Sequence, residues 1–135
     1  MATARTISMS ATFNAKPYEV FKALTDAREI RSWSGQSGRV EAKVGGKYEM
    51  FDGWARGKVL AFKTGTTLVH TWQTADGDAG MKDSIVKYSF TSTKSGTKVT
   101  LRHSGLPDEK SRKEHQGGWV EFVFEPLKQY FKPKA

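Results

Sequence analysis

The segment GWVEFVFEPLKQYF, residues 118–131, decides the fold that the sequence predicts. Its apolar side chains recur at the spacing that places them on one face of an α-helix. They are Trp119, Phe122, Val123, Pro126, Leu127, Tyr130 and Phe131. The pattern predicts a long amphipathic helix that begins near Asp108 and buries this stripe against the rest of the domain. Because Pro126 removes one backbone hydrogen bond, we expect a kink at that point.

Upstream, the start of the chain predicts one strand followed by two short helices. Residues 5–13 alternate apolar and polar side chains, as in a strand that is buried on one face. Pro17 can occupy the first turn of a helix, where its missing N–H has no consequence. Asp26 and Glu29 have the spacing of a capping box for a second helix, which carries Trp33.

Strand-like segments separated by turn residues fill residues 40–105. Val40, Ala42 and Val44 alternate as the first of about six strands, and Gly45-Gly46 is typical of a tight hairpin turn. A loop is predicted at residues 76–80. Short strands that follow one another in this way favour an antiparallel meander.

These elements predict an α+β fold in which one curved antiparallel sheet grips the C-terminal helix. The sheet has about six to seven strands, and two short helices follow the first strand. The length of 135 residues is that of a single domain, residues 1–135. A sheet that curls around one helix leaves a cavity between the two wherever packing is incomplete.

The composition excludes several classes of site. The chain has no cysteine, which excludes a disulfide scaffold, thiolate zinc sites and a cysteine nucleophile. The histidines lack metal-binding spacing, and the glycines lack the spacing of phosphate-binding loops, so we expect no metal and no cofactor. No apolar run approaches the roughly 20 residues of a membrane-spanning helix. The N-terminal residues do not resemble a signal peptide, and we expect a soluble cytoplasmic protein.

Positive charge is the strongest bias of the composition. Lys and Arg number 22 against 14 Asp and Glu, which gives a formal net charge of +8. The basic residues are scattered from Arg5 to Lys134 and are densest at residues 110–113. This favours a dispersed, solubilising surface, with an acidic protein partner as the second interpretation. We expect no nucleic-acid partner, because no groove-reading motif accompanies the charge.

Three segments carry a resemblance to a known family. They are Val44–Gly53 with its glycine turn, Leu68–Gln73, and Gly118–Glu121 leading into Glu125–Phe131. They resemble the family named after the activator of the heat-shock protein 90 ATPase, within the START-like (SRPBCC) helix-grip superfamily. The resemblance covers nearly the whole chain and is to the activator's C-terminal domain. It implies the helix-grip fold, a tendency to bind hydrophobic small molecules, and heat-shock protein 90 as an alternative partner.

The candidate ligand-binding residues are those that alternation or the helical stripe places between sheet and helix. They are Trp33, Tyr48, Met50, His70, Trp72, Tyr88, Phe90, His103, Trp119, Phe122 and Val123. Most of them are interpreted first as plain core and second as a cavity lining with a few polar groups. For His70 and His103, a hydrogen-bonded interior histidine is the first interpretation and a ligand-orienting group the second. A general acid or base comes third, because no partnered carboxylate is evident.

The sequence therefore supports three functional hypotheses. The first is a non-enzymatic binding module with an apolar cavity for a lipid-like or aromatic small molecule. The alternative is a co-chaperone-type interaction protein that contacts heat-shock protein 90 through its basic surface. The third is a cyclase- or hydrolase-like enzyme, which has the weakest support because the chain has no Gly-x-Ser-x-Gly element and no recognisable catalytic triad. No catalytic residue is predicted.

Overall fold

A computed structural model of the chain describes residues 5–75 and 83–132. Its strands are β1 (Arg5–Phe13), β2 (Arg39–Val40), β3 (Lys47–Met50), β4 (Ala55–Lys63), β5 (Thr67–Thr74), β6 (Ser84–Thr93) and β7 (Gly96–Leu106). Its helices are α1 (Pro17–Thr25), α2 (Ala27–Ser34), α3 (Glu109–Trp119), a π-helical turn (Val120–Phe124) and α4 (Glu125–Tyr130). We call the last three together the C-terminal helix. The loop predicted at residues 76–80 lies outside the described residues.

The seven described strands form one antiparallel sheet in the order β1-β7-β6-β5-β4-β3-β2. Strands β2 to β7 pair with their neighbours in sequence, and β1 pairs with β7 at the opposite edge. The sheet is curved and packs its inner face against the helices. This confirms the predicted α+β helix-grip architecture, with seven strands, two short helices after β1 and a long C-terminal helix.

The short helices begin and end where the sequence places the signals. Pro17 is the first residue of α1, and the Lys16 backbone N–H donates to Glu19 Oε1 at 2.8 Å. The Asp26 carboxylate accepts from the backbone N–H groups of Arg28 and Glu29, which caps α2 as predicted. These caps satisfy backbone donors that have no partner within the helix.

The C-terminal helix differs from the prediction at Phe122 and Tyr130, which are 50% and 38% exposed. Trp119, Val123 and Leu127 are buried as expected, and Phe124 is buried in place of Phe122. A π-helical turn bonds residue i to i+5 and so holds one residue more than an α-helical turn. The turn at Val120–Phe124 shifts the phase of the apolar stripe, which turns Phe122 outward. Pro126 follows directly, in the first turn of α4.

The predicted strand over residues 40–44 is wrong beyond Val40. Strand β2 ends there, and the side chain of Val44 is 73% exposed. Glu41 ends the strand because its carboxylate accepts from the Lys47 backbone N–H at 2.9 Å and its carbonyl accepts from Lys43 N–H. The turn also requires Gly46, since a Cβ atom there would collide with the Glu41 carbonyl oxygen. Local side-chain hydrogen bonds thus override the apolar alternation.

Candidate functional site

The inner face of the sheet gathers most of the predicted site residues. Those that are buried are Trp33, Tyr48, Met50, His70, Trp72, Tyr88, Phe90, His103, Trp119 and Val123. Phe122 was predicted to belong to this set and does not, for the reason given above. The aromatic rings of strands β3, β5, β6 and β7 contact one another and Trp119 of the helix. Trp33 lies apart, where its indole N–H donates to the Ala23 carbonyl and fastens α2 to α1.

His103 belongs to a hydrogen-bond network that is complete. Trp119 Nε1–H donates to His103 Nδ1 at 3.1 Å, so Nδ1 carries no proton and the proton of the neutral ring is on Nε2. His103 Nε2–H donates to Ser84 Oγ, with 2.7 Å between nitrogen and oxygen. The Ser84 hydroxyl in turn donates to the Trp72 carbonyl at 3.1 Å. Both ring nitrogens of His103, the Ser84 hydroxyl and the Trp119 N–H thus have partners, which is the ordinary state of buried polar groups.

His115 extends the network to the surface of α3. Trp72 Nε1–H donates to His115 Nε2 at 3.2 Å, and His115 Nδ1–H donates to the Ser111 carbonyl at 2.8 Å. Neither His115 nor Ser84 was among the ligand-binding residues predicted from the sequence. Both carried a usable signal, since His115 lies four residues before Trp119 on the same helix face and Ser84 lies at an inward position of β6. The two tryptophan–histidine bonds hold the first half of the C-terminal helix against the sheet.

His70 has the same burial but an incomplete set of partners. Its side chain is 0% exposed, and Nδ1–H donates to the Thr71 carbonyl at 2.8 Å. The other ring nitrogen, Nε2, is then an acceptor, and it has no hydrogen-bond partner among the described residues. Burial lowers the pKa of His70 to about 4, so the ring is neutral at neutral pH. The site thus contains one buried acceptor without a donor.

Gly57 and Tyr48 fix the position of this ring. Gly57 lies opposite Tyr48 in the β3–β4 register. A Cβ atom at Gly57 would collide with the Thr71 carbonyl oxygen, which is the acceptor that sets the His70 tautomer. Tyr48 stacks on His70 with ring centroids 3.6 Å apart and an interplanar angle of 14°. Gly57 is therefore required for the close approach of β4 to the Thr71 carbonyl.

The two buried tyrosines add further polar atoms to the interior. The hydroxyls of Tyr48 and Tyr88 hydrogen-bond to each other, and burial raises the pKa of both above the ordinary value. Both phenols are therefore neutral at physiological pH. Burial lowers the pKa of His103 to about 3, helped by the nearby His115 and His70. The interior is uncharged, which suits a neutral ligand better than an ionised one.

Family comparison agrees with this architecture. A family model described as "Activator of Hsp90 ATPase homolog 1-like protein" matches residues 14–132. The chain belongs to this family. The residues that carried the resemblance in the sequence lie on β3, on β5 and in the C-terminal helix.

Individual members of the family differ widely from this chain in sequence. The human protein "Activator of 90 kDa heat shock protein ATPase homolog 1" is 25% identical over 125 residues, which are 93% of this chain and 36% of that protein. The chain thus spans about a third of that relative's length. A solved structure of a Mesorhizobium loti protein is 27% identical, with a TM-score of 0.76, and covers 93% of this chain and 95% of its own. An HSP90 activator from Plasmodium falciparum is 24% identical, with a TM-score of 0.83, and covers 99% of this chain and 100% of its own; that likeness shows the shared fold.

Two further features bear on the classes of site predicted above. Among residues 5–75 and 83–132, no helix is long and apolar enough to cross a membrane, and no three His, Asp or Glu side chains are grouped to hold a metal ion. A pocket of about 250 Å³ with polar walls has none of the predicted site residues in its lining. Its lining comprises Ser37, Gly38, Arg39, Glu49, Asp52, Gly53 and Arg56.

Proposed function

We propose that this family member is a non-enzymatic binding module for a neutral aromatic or lipid-like molecule. The ligand would lie between the sheet and the C-terminal helix, with a hydroxyl or N–H group donating to His70 Nε2. The observation that supports this is the buried acceptor itself. Leaving such a group without a partner costs about 1–3 kcal/mol, which a ligand donor would recover on binding.

The surroundings of His70 favour an apolar ligand with a single polar end. The ring centroids of Tyr88 and Trp72 lie 6.0 and 6.4 Å from that of His70, and Tyr48 covers one face of the imidazole. Binding sites of this kind combine many apolar contacts with a few polar groups that fix orientation. Because His70 and both tyrosines are neutral, a charged ligand would be desolvated without compensation.

Entry of a ligand requires the C-terminal helix to yield, because the described side chains pack closely in this interior. The helix is least stable in the segment that would have to move, at the end of α3. Gly117 and Gly118 each lower its stability by roughly 1 kcal/mol relative to Ala, and the π-helical turn follows directly. Such turns occur frequently at functional sites. The site would therefore open at α3, with Trp119 moving away from Tyr88, at the cost of the Trp119–His103 and Trp72–His115 hydrogen bonds.

The test compares ligands that differ only in the donor. A thermal-shift and native mass-spectrometry screen would include 2-naphthol and dodecanol, each paired with its methyl ether. We expect the alcohols to bind and raise the melting temperature and the ethers to bind at least about tenfold more weakly, since the ether cannot donate to His70.

Variants locate the binding within the domain. His70→Leu removes the acceptor and Tyr88→Trp fills the surrounding space, so both should weaken binding. Val69→Thr, on the outer face of the same strand, is a matched control that should leave binding unchanged. Equal binding of alcohol and ether, or NMR shifts outside the sheet–helix interior, would contradict the proposal.

A co-chaperone role is the second candidate function. It is favoured by the family and by the net charge of +8, which suits an acidic partner surface. Such binding would be weak and salt-sensitive, because exposed charges are screened within about 8 Å at physiological ionic strength. Titrating the domain with heat-shock protein 90 at low and high salt, while following the ATPase rate, tests this. Absence of binding and of any rate change at low salt would exclude it.

A further inference from the structure

The basic residues are scattered in the sequence, but the sheet collects many of them on its outer face. Strand alternation points one set of side chains away from the helices. That outer set includes eight basic residues, all exposed: Arg39, Lys47, Arg56, Lys58, Lys63, Lys87, Lys98 and Arg102. Glu49 is the one acidic residue at an outward position of the described strands. Eight of the 22 Lys and Arg residues thus share one face of the sheet, because successive side chains of a strand point to opposite faces.

Two pairs of these basic residues lie directly opposite each other on neighbouring strands. Lys87 of β6 pairs in register with Arg102 of β7, and Lys47 of β3 pairs with Lys58 of β4. Like charges in this arrangement destabilise a sheet. In the part of the chain that the structure describes, none of these four forms an ion pair with a carboxylate. Fold stability therefore does not account for these two pairs.

The side chains that surround these basic residues indicate which class of polyanion the face suits. Hydroxyl side chains occupy many of the remaining outward positions, including Ser8, Ser10 and Thr100 beside the Lys98–Arg102 segment. Hydroxyls and cations together suit the oxygens of carboxylates and of phosphates alike. No aromatic side chain occupies an outward position of the described strands, so the stacking platforms of single-stranded nucleic-acid binders are missing there.

We infer that the outer face of the sheet is a docking surface for a flexible, acidic segment of a partner protein. The face is the convex side of a sheet that curls around the C-terminal helix, so a rigid partner or a flat bilayer touches only part of it. A flexible chain can follow the curve and place carboxylates against both like-charge pairs. The inference does not depend on the interior site at His70.

Fluorescence anisotropy with labelled poly-L-glutamate tests the inference. The variant Lys87→Gln/Arg102→Gln removes one like-charge pair, and Lys113→Gln/Lys128→Gln removes the same charge from the exposed side of the C-terminal helix. At about 50 mM salt we expect the sheet variant to weaken binding on the order of tenfold and the helix variant less than about twofold. Raising the salt to about 300 mM should abolish most of the difference.

Stability measurements and a second pair of substitutions serve as controls for the loss of binding. Since Lys87→Gln/Arg102→Gln relieves a repulsion, its melting temperature should equal or exceed that of the parent. Lys47→Gln/Lys58→Gln provides a second, independent pair at the other end of the face and should weaken binding similarly. The inference is overturned if the helix variant loses as much affinity as the sheet variants, or if the parent does not bind at low salt. It is equally overturned if oligouridine or phosphatidylserine vesicles bind this face more tightly than poly-L-glutamate.

Discussion

His70 and His103 lie in one row of the sheet, two strands apart, and both side chains are 0% exposed. Each is the register neighbour of Val86, so about 10 Å of sheet separates them. His103 meets the helix and finds a donor in Trp119 and an acceptor in Ser84. His70 meets Tyr48 and keeps one nitrogen without a partner. Equal burial thus leaves His103 with a complete set of hydrogen-bond partners and His70 with one unpaired acceptor among the described residues, because their neighbouring side chains differ.

The largest expected effect is a loss of stability at acidic pH. Both histidines become protonated at a higher pH in the unfolded chain than in the folded protein. Their pKa values are lowered to about 4 and about 3 in the fold, against about 6.5 when unfolded. As the pH falls below about 6.5, the unfolded state therefore binds more protons, and the free energy of unfolding decreases. From pH 7 to pH 5 we expect a loss of about 2 kcal/mol per histidine, or about 4 kcal/mol in all.

Urea unfolding at pH 7, 6 and 5 measures this loss. His70→Leu and His103→Leu should each remove about half of the pH dependence, since each deletes one of the two titrating groups. A free energy of unfolding that stays constant between pH 7 and 5 would mean that neither histidine is held neutral by burial.

The next largest expected effect is a difference in stability between the His103 and His70 variants at constant pH. His103→Leu leaves the indole N–H of Trp119 buried without an acceptor, and we expect it to lower the free energy of unfolding by about 2–3 kcal/mol at pH 7. In a Trp119→Phe background the orphan donor is gone, so the same substitution should cost about 1–2 kcal/mol less. Additive effects in this double-mutant cycle would show that the Trp119–His103 bond does not stabilise the fold.

Much of the architecture was accessible from the sequence, because it follows from periodicity. Alternation placed His70 and His103 on the inner face, and Asp26 marked the start of α2 through a local capping signal. The missing partner of His70 was not accessible in this way. It depends on which ring from another strand lies beside Nε2, and no local pattern carries that information.

The wrong predictions at Phe122 and at residues 41–44 have the same origin. The exposure of Phe122 follows from a π-helical turn, in which Glu125 N–H bonds to the Val120 carbonyl five residues back. The end of β2 follows from a Glu41 side chain that reaches the Lys47 backbone. Each involves one hydrogen bond that breaks the regular period of its element. A periodic pattern carries no signal for such a local exception.

A smaller change in stability is expected for a substitution in α3, the part of the C-terminal helix that packs near His103. A Cβ atom at Gly117 would have no neighbour within 4 Å, so Gly117→Ala should fit and raise the free energy of unfolding by about 0.5–1 kcal/mol. Chemical denaturation measures the gain, and slower hydrogen exchange in α3 should accompany it. Gly46→Ala is the contrasting variant, since its Cβ would collide with the Glu41 carbonyl, and it should destabilise. A loss of stability in Gly117→Ala would mean that the glycine serves packing.

The smallest effect at neutral pH is expected at the His70 end. His70→Leu gives up the hydrogen bond to the Thr71 carbonyl and the stacking on Tyr48, but it also removes a buried acceptor that has no partner. These contributions oppose each other, so we expect the free energy of unfolding to fall by less than about 1 kcal/mol at pH 7. At pH 5 the order should reverse, because the parent has lost about 2 kcal/mol through protonation of His70 in the unfolded state and the variant has not. Urea titrations of parent and variant at the two pH values measure this crossing. A variant that loses as much stability at pH 7 as His103→Leu would show that His70 is a structural histidine like its neighbour, and the case for a ligand at this site would lose its basis.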